Sequence, residues 1–164
     1  MNRYLSCIFL FCCVICLPLP IIAQQSEDIR MQQLRDATEE LIIKEKLEES
    51  KKNLLTLSAY YKKHNRVEDY VFTLHKLGRI KTVEDNIADA DSLFSLALKT
   101  YNKRIGGDKL LKANVLVNYA TLNNSLHNLG KANKQLTLAL KIRGKEGDDT
   151  SPDYIENLIQ LGQN

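Results

Sequence analysis

Apolar residues recur along this chain at helical spacing, and from about residue 67 onward whole blocks of the pattern return at intervals of 42, with Leu74, Leu116 and Leu158 in register. Leu74-His75-Lys76-Leu77-Gly78 aligns with Leu116-Val117-Asn118-Tyr119-Ala120 and then with Leu158-Ile159-Gln160-Leu161-Gly162. In the segments that follow, Ala90, Phe94 and Ala97 align with Ala132, Leu136 and Ala139. A large-residue stripe followed by a stripe with alanines suits two packed helices, because small side chains let the backbones approach. Repetition at a fixed period predicts that such hairpins stack into an all-α array. The apolar spacing predicts helices at 67–83, 87–104, 110–127, 131–143 and 152–162.

Ahead of the regular part, Ser26 to Lys63 lacks glycine and proline and keeps helical apolar spacing through Ile29, Leu34, Leu41, Ile42, Leu47, Leu54 and Leu57. It reads as one long helix or, preferably, as a degenerate first hairpin turning near 43–48, with Ser26 as the N-cap and acidic residues in the first turn. Residues 24–66 thus form an atypical N-terminal unit, and 67–108, 109–150 and a partial 151–164 form the repeats. Basic last turns followed by Gly106-Gly107, and by Gly144 with Gly147, mark the ends of the second helices. Ser151-Pro152-Asp153 starts the next helix with a cap, a proline and an acid.

Residues 1–23 are different material. Arg3 is followed by an apolar run from Leu5 to Leu17 interrupted by Ser6, then by Pro18, Pro20 and the small Ala23. This is the pattern of a secretory signal peptide cut between Ala23 and Gln24, which would export the chain to a periplasm or the exterior with no membrane segment left. A retained anchor is the alternative, since the run is about long enough for a hydrocarbon layer of ~30 Å. Cys7, Cys12, Cys13 and Cys16 all lie in this segment, so the mature chain would carry neither disulfides nor thiol chemistry.

A net charge of +3 spread over interleaved acids and bases gives no basic patch, and nucleic acid is disfavoured. Catalysis finds no support either. His64, His75 and His127 fall on different elements without a second ligand at metal spacing. Asp85, Asp89 and Asp91 suit a helix start better than a calcium loop, and Gly106-Gly107-Asp108-Lys109 has neither the preceding strand nor the following Lys-Ser/Thr of a phosphate loop. No serine sits in a Gly-x-Ser-x-Gly elbow. The expectation is a non-enzyme with no cofactor and no metal.

The spacing of Leu74, Gly78, Ala90, Phe94 and Ala97 resembles the tetratricopeptide repeat, and the 42-residue period with the long helix ending at Leu138-Ala139-Leu140-Lys141-Ile142-Arg143 resembles its kinesin-light-chain-like variety. With the export signal, the chain is similar to periplasmic or surface repeat proteins of the Bacteroidetes type. The resemblance implies a right-handed superhelical array of antiparallel helix hairpins whose concave groove, lined by the first helix of each repeat, binds a protein or peptide. On that face Asn114, Asn118, Thr121 and Ser125 share one helical stripe. His75, Lys76, Arg79 and Phe72 stand in the preceding repeat, Glu156 and Gln160 in the next. Asparagine amides both donate and accept and could pair with a peptide backbone of any sequence. Glu156, where a cation would be wanted, argues against capture of a terminal carboxylate. Two functions stay open: an exported interaction scaffold, or the sensor region of a larger signalling protein or enzyme, because the third copy lacks its second helix.

Overall fold

A computed structural model describes residues 19–104 and 106–163, with side chains from Ala23 onward. The described residues form helices and turns and no strand: α1 (Leu19–Ile43), α2 (Leu47–Lys63), α3 (Val67–Val83), α4 (Ile87–Asn102), α5 (Lys109–Ser125), α6 (Leu129–Lys145) and α7 (Pro152–Gly162). Each helix packs on its neighbour in the chain, most extensively within α3–α4 and α5–α6, and α3 also meets α5. Consecutive packing of this kind is consistent with an α-solenoid.

The segment before the repeats is two helices, turning at Lys44–Lys46. Its start differs from expectation. The helix begins at Leu19, ahead of Ser26, whose hydroxyl donates to the Ala23 carbonyl at 2.8 Å. Pro20 is compatible with this start because the first turn of a helix uses no N–H of its own. The rest of the proposed signal segment, residues 1–18, lies outside the described residues. No helix among the described residues is long and apolar enough to cross a membrane.

Five helix ends share one closure. The backbone N–H of Lys46, Arg66, Asn86, Asn128 and Asp148 reaches back to the carbonyl five residues earlier at 2.8–2.9 Å. The residue just before each of these donors has positive φ: Glu45, Asn65, Asp85, His127 and Gly147. This is the 6→1 bond of a Schellman motif, and only one of the five left-handed positions is glycine. Gly144, expected as a terminator, instead lies within α6, because the residue that must take positive φ is Gly147 at +74°. Gly106, at +77°, bends the chain between α4 and α5.

The main core joins α3, α4 and α5 through Val71, Leu74, Ala90, Phe94, Ala97, Val115, Tyr119 and Leu122. Phe94 is fully buried and stacks on Tyr119 with ring centroids 5.5 Å apart. A Cβ added to Gly78 would come within 2.8 Å of the Phe94 ring, so the glycine makes room for the aromatic. Smaller clusters extend the core both ways. Met31, Leu57, Tyr60 and Tyr61 bind α1 to α2, while Ala120, Ala132 and Leu136 close the next hairpin.

Candidate groove between the first helices

The first helix of every hairpin contributes to one face, and side-chain bonds tie those helices in order. Arg35 of α1 donates to Asp69 of α3 at 2.5 Å, Asn118 of α5 meets His75 of α3, and Gln160 of α7 donates to Thr121 of α5 at 3.1 Å. Between α3, α5 and α7 lies a polar cavity of about 450 Å³. His75, Lys76, Arg79, Asn114, Asn118 and Thr121 all line it, as do Glu156 and Gln160. Ser125 does not. It sits at the last residue of α5, where the stripe has run off the end of the helix, and its hydroxyl donates to the Leu122 carbonyl at 2.8 Å.

His75 is the most constrained of these residues. The side chain is 5% exposed, and burial, reinforced by the charges of Lys76 and Arg79, pushes its pKa down from 6.5 to about 3. The ring is therefore neutral near pH 7. Asn118 Nδ2 also bonds the Asn114 carbonyl at 3.1 Å, which identifies that atom as the donor, so His75 Nε2 accepts and the proton resides on Nδ1. That Nδ1 is buried with no hydrogen-bond partner among the described residues. The histidine is a floor element more than a reagent.

Four further residues line the cavity without having been assigned to the groove from the sequence: Val117, Arg143, Asp153 and Asn157. Arg143, with a side chain only 6% exposed, pairs with Asp148 and with Asp153 at 3.2 Å, and also donates to Asn114 Oδ1. It thereby ties α5, the α6–α7 loop and α7 at one point. Asn157 is 4% exposed. The 42-residue register contained a signal for it, since its equivalents Thr73 and Val115 are inward positions that are both fully buried.

Phe72 faces a neighbouring cavity, with the Arg35 guanidinium 4.0 Å above its ring and Lys76 Nζ at 5.1 Å, an occupied cation–π site. Lys76 also pairs with Glu39 at 3.7 Å, and burial lowers its pKa. On the other side of Lys76 and Arg79 opens a more apolar cavity of about 380 Å³ with Ile42, Leu47, Ile80 and Val83 in its walls and the carboxylate of Glu45 among them. The two cations thus border both spaces. Among the described residues no three His, Cys, Asp or Glu side chains converge to hold a metal ion. A scan against family models and a search of curated proteins return no match to this chain.

Proposed function

We propose that this chain is an exported interaction scaffold of the tetratricopeptide type, whose hairpins stack into a right-handed superhelix and whose groove takes a segment of a protein partner. One observation carries the reading: α3, α5 and α7 turn a single stripe of amides, hydroxyls and charges toward one cavity. An extended peptide needs such donors and acceptors for its backbone, and charged rims to set its register. The reading includes no catalytic step, and its export rests on the sequence of residues 1–23. A regulatory array that meets another helical surface is a second reading, favoured by the exposed Ile155, Leu158 and Ile159 of α7.

Site-specific photo-crosslinking tests the groove. A benzophenone side chain placed at Thr121, on the cavity, should capture a partner from the exported fraction, whereas one at Ser92, on α4, should not. Capture at Ser92 with none at Thr121 would move the binding surface to the other side of the array. Intact mass of exported material checks the Ala23–Gln24 cut, and a membrane-bound product retaining Met1 would favour an anchor.

A further inference from the structure

The charges on the groove are unevenly satisfied. Arg35 is matched by Asp69, Lys76 by Glu39, and Arg143 by Asp148 and Asp153. Arg79, exposed on α3, makes no ion pair or hydrogen bond with another described residue, and the same holds for Glu156 on α7 across the cavity. Among the described residues an unpaired cation and an unpaired anion therefore border one polar space, and Arg79 with Lys76 also borders the apolar cavity beyond α3, where Glu45 is the one carboxylate in a mostly apolar wall.

We infer that the groove reads a peptide segment of ordered, mixed charge: a large apolar side chain in the cavity of Ile42, Leu47, Ile80 and Val83, then an acidic side chain at Arg79 and Lys76, then a basic side chain at Glu156. The proposal rests on the groove reading above and gives it a ligand chemistry and a direction. Charge complementarity supplies the argument. A wholly acidic segment that satisfied Arg79 would meet Glu156 and Asp153 on the facing wall, and a wholly basic one would meet Lys76 and Arg79. Like charges juxtaposed in a cleft are costly, whereas mixed charge in this order meets an opposite charge on each wall. The apolar pocket lies on the α1–α2 side of the two cations, and the anionic wall on the α7 side, so the reverse order places both charges wrongly.

Fluorescence anisotropy with labelled peptides tests the order. The probes carry blocked termini and contain a leucine, a glutamate, a serine spacer of varied length and a lysine, or the same residues with glutamate and lysine exchanged. The first order should bind at least about tenfold tighter than the second at some spacer length, and the preference should shrink with added salt. Exchanging the walls, with Arg79→Glu and Glu156→Lys together, should invert it. Both side chains are exposed and unpaired, so a thermal melt should show the double variant folded. Equal affinity for the two orders, tighter binding of an all-acidic probe, failure of any probe to bind, or no inversion in the double variant would each overturn the charge order. Crosslinking at Thr121 with no order preference would overturn it while leaving the groove reading in place.

Discussion

The hairpins α3–α4 and α5–α6 share a register and fill it with different chemistry. In the first, glycine at position 78 admits the aromatic ring of Phe94; in the second, Ala120 faces the smaller Leu136. Volume moves from one helix to the other while the sum at the contact is nearly kept. Farther along, Tyr101 closes the first hairpin by donating to the Gly107 carbonyl at 2.9 Å, whereas Arg143, 42 residues later, closes the second with a buried guanidinium paired to the more exposed Asp148 and Asp153. The groove face changes in the same way, from Lys76 and Arg79 to Asn118 and Thr121. The backbone plan constrains where small and large residues sit. It leaves free which polar groups the first helices present, and the cavity's charge asymmetry arises from that freedom.

The largest expected effect tests the shared part of the plan. Ala97 and Ala139 are both fully buried at equivalent positions, so Ala97→Glu and Ala139→Glu should each destabilise by about 3 kcal/mol or more, measured by urea unfolding. Ala97 belongs to the core that joins three helices, while Ala139 packs in a small cluster with Ala113 and Leu116. Ala97→Glu should therefore be the worse of the two. Mild effects from both would break the equivalence of the hairpins.

The compensation between positions is the next test. Gly78→Ala should cost about 1–3 kcal/mol, because its Cβ would overlap the Phe94 ring. Adding Phe94→Leu recreates the pair Ala120 and Leu136, and the double variant should be more stable than the two single effects predict by about 1 kcal/mol or more. Strict additivity in the double-mutant cycle would mean that the two pairs are unrelated solutions.

Much of this was readable in the residues, for reasons the hairpins make plain. Helix positions follow from apolar period, and a period of 42 ties distant segments to one geometry, so the ends of α3 to α7 fall within two residues of expectation. Most of the stripe of polar residues on α3 and α5 followed from the same helical arithmetic. What escaped depends on contacts between helices or on unusual turn residues. Four left-handed turn positions carry Glu45, Asn65, Asp85 and His127 instead of glycine, so the apolar period places these turns while their shared left-handed closure has no glycine to announce it. Arg143 read as a cation suited to a helix C-terminus, and only three-dimensional packing brings it to Asn114 and Asp153. His75 sits on the groove stripe, yet its burial arises from the approach of α5.

That burial makes the two hairpins respond differently to acid. The histidine of the first is replaced by Val117 in the second. With the folded pKa of His75 near 3 and the free value near 6.5, the unfolded chain binds more protons between these limits, so stability is full above about pH 6.5 and falls as the pH is lowered toward 3. From pH 7.5 to 5 the loss should be on the order of 2 kcal/mol. The three carboxylates that the fold holds low do not account for it in that window. Asp28 is held low first by the Tyr60 hydroxyl, Glu84 by Lys51, and Asp148 by Ser151 and Arg143, so all three lose stabilisation only at more acidic pH. Replacing His75 with the valine of the second hairpin should flatten urea midpoints between pH 7.5 and 5, whatever it does to their absolute level. An unchanged slope in His75→Val would assign the acid sensitivity elsewhere.

The smallest effect separates the start of α4 from the start of α6, where Asp89 and Lys131 occupy equivalent places. From sequence, Lys131 is a solvated surface residue whose change to glutamine should stay within about 0.5 kcal/mol. Its ammonium instead lies 4.7 Å from the Tyr119 ring centroid, donates to the Tyr119 hydroxyl at 3.2 Å and approaches Asp91 at 3.7 Å. The side chain remains 52% exposed, so solvent weakens all three contacts. An exposed cation–π pair contributes about 0.5–1 kcal/mol, and Lys131→Gln should destabilise by about that much. The loss should be reduced when Tyr119 is first changed to Phe, which keeps the ring but removes the hydroxyl that accepts from Lys131 and donates to Asp91. A neutral Lys131→Gln in both backgrounds would show that α6 is anchored by its alanines alone, and that the polar difference between the hairpins has no energetic weight at this position.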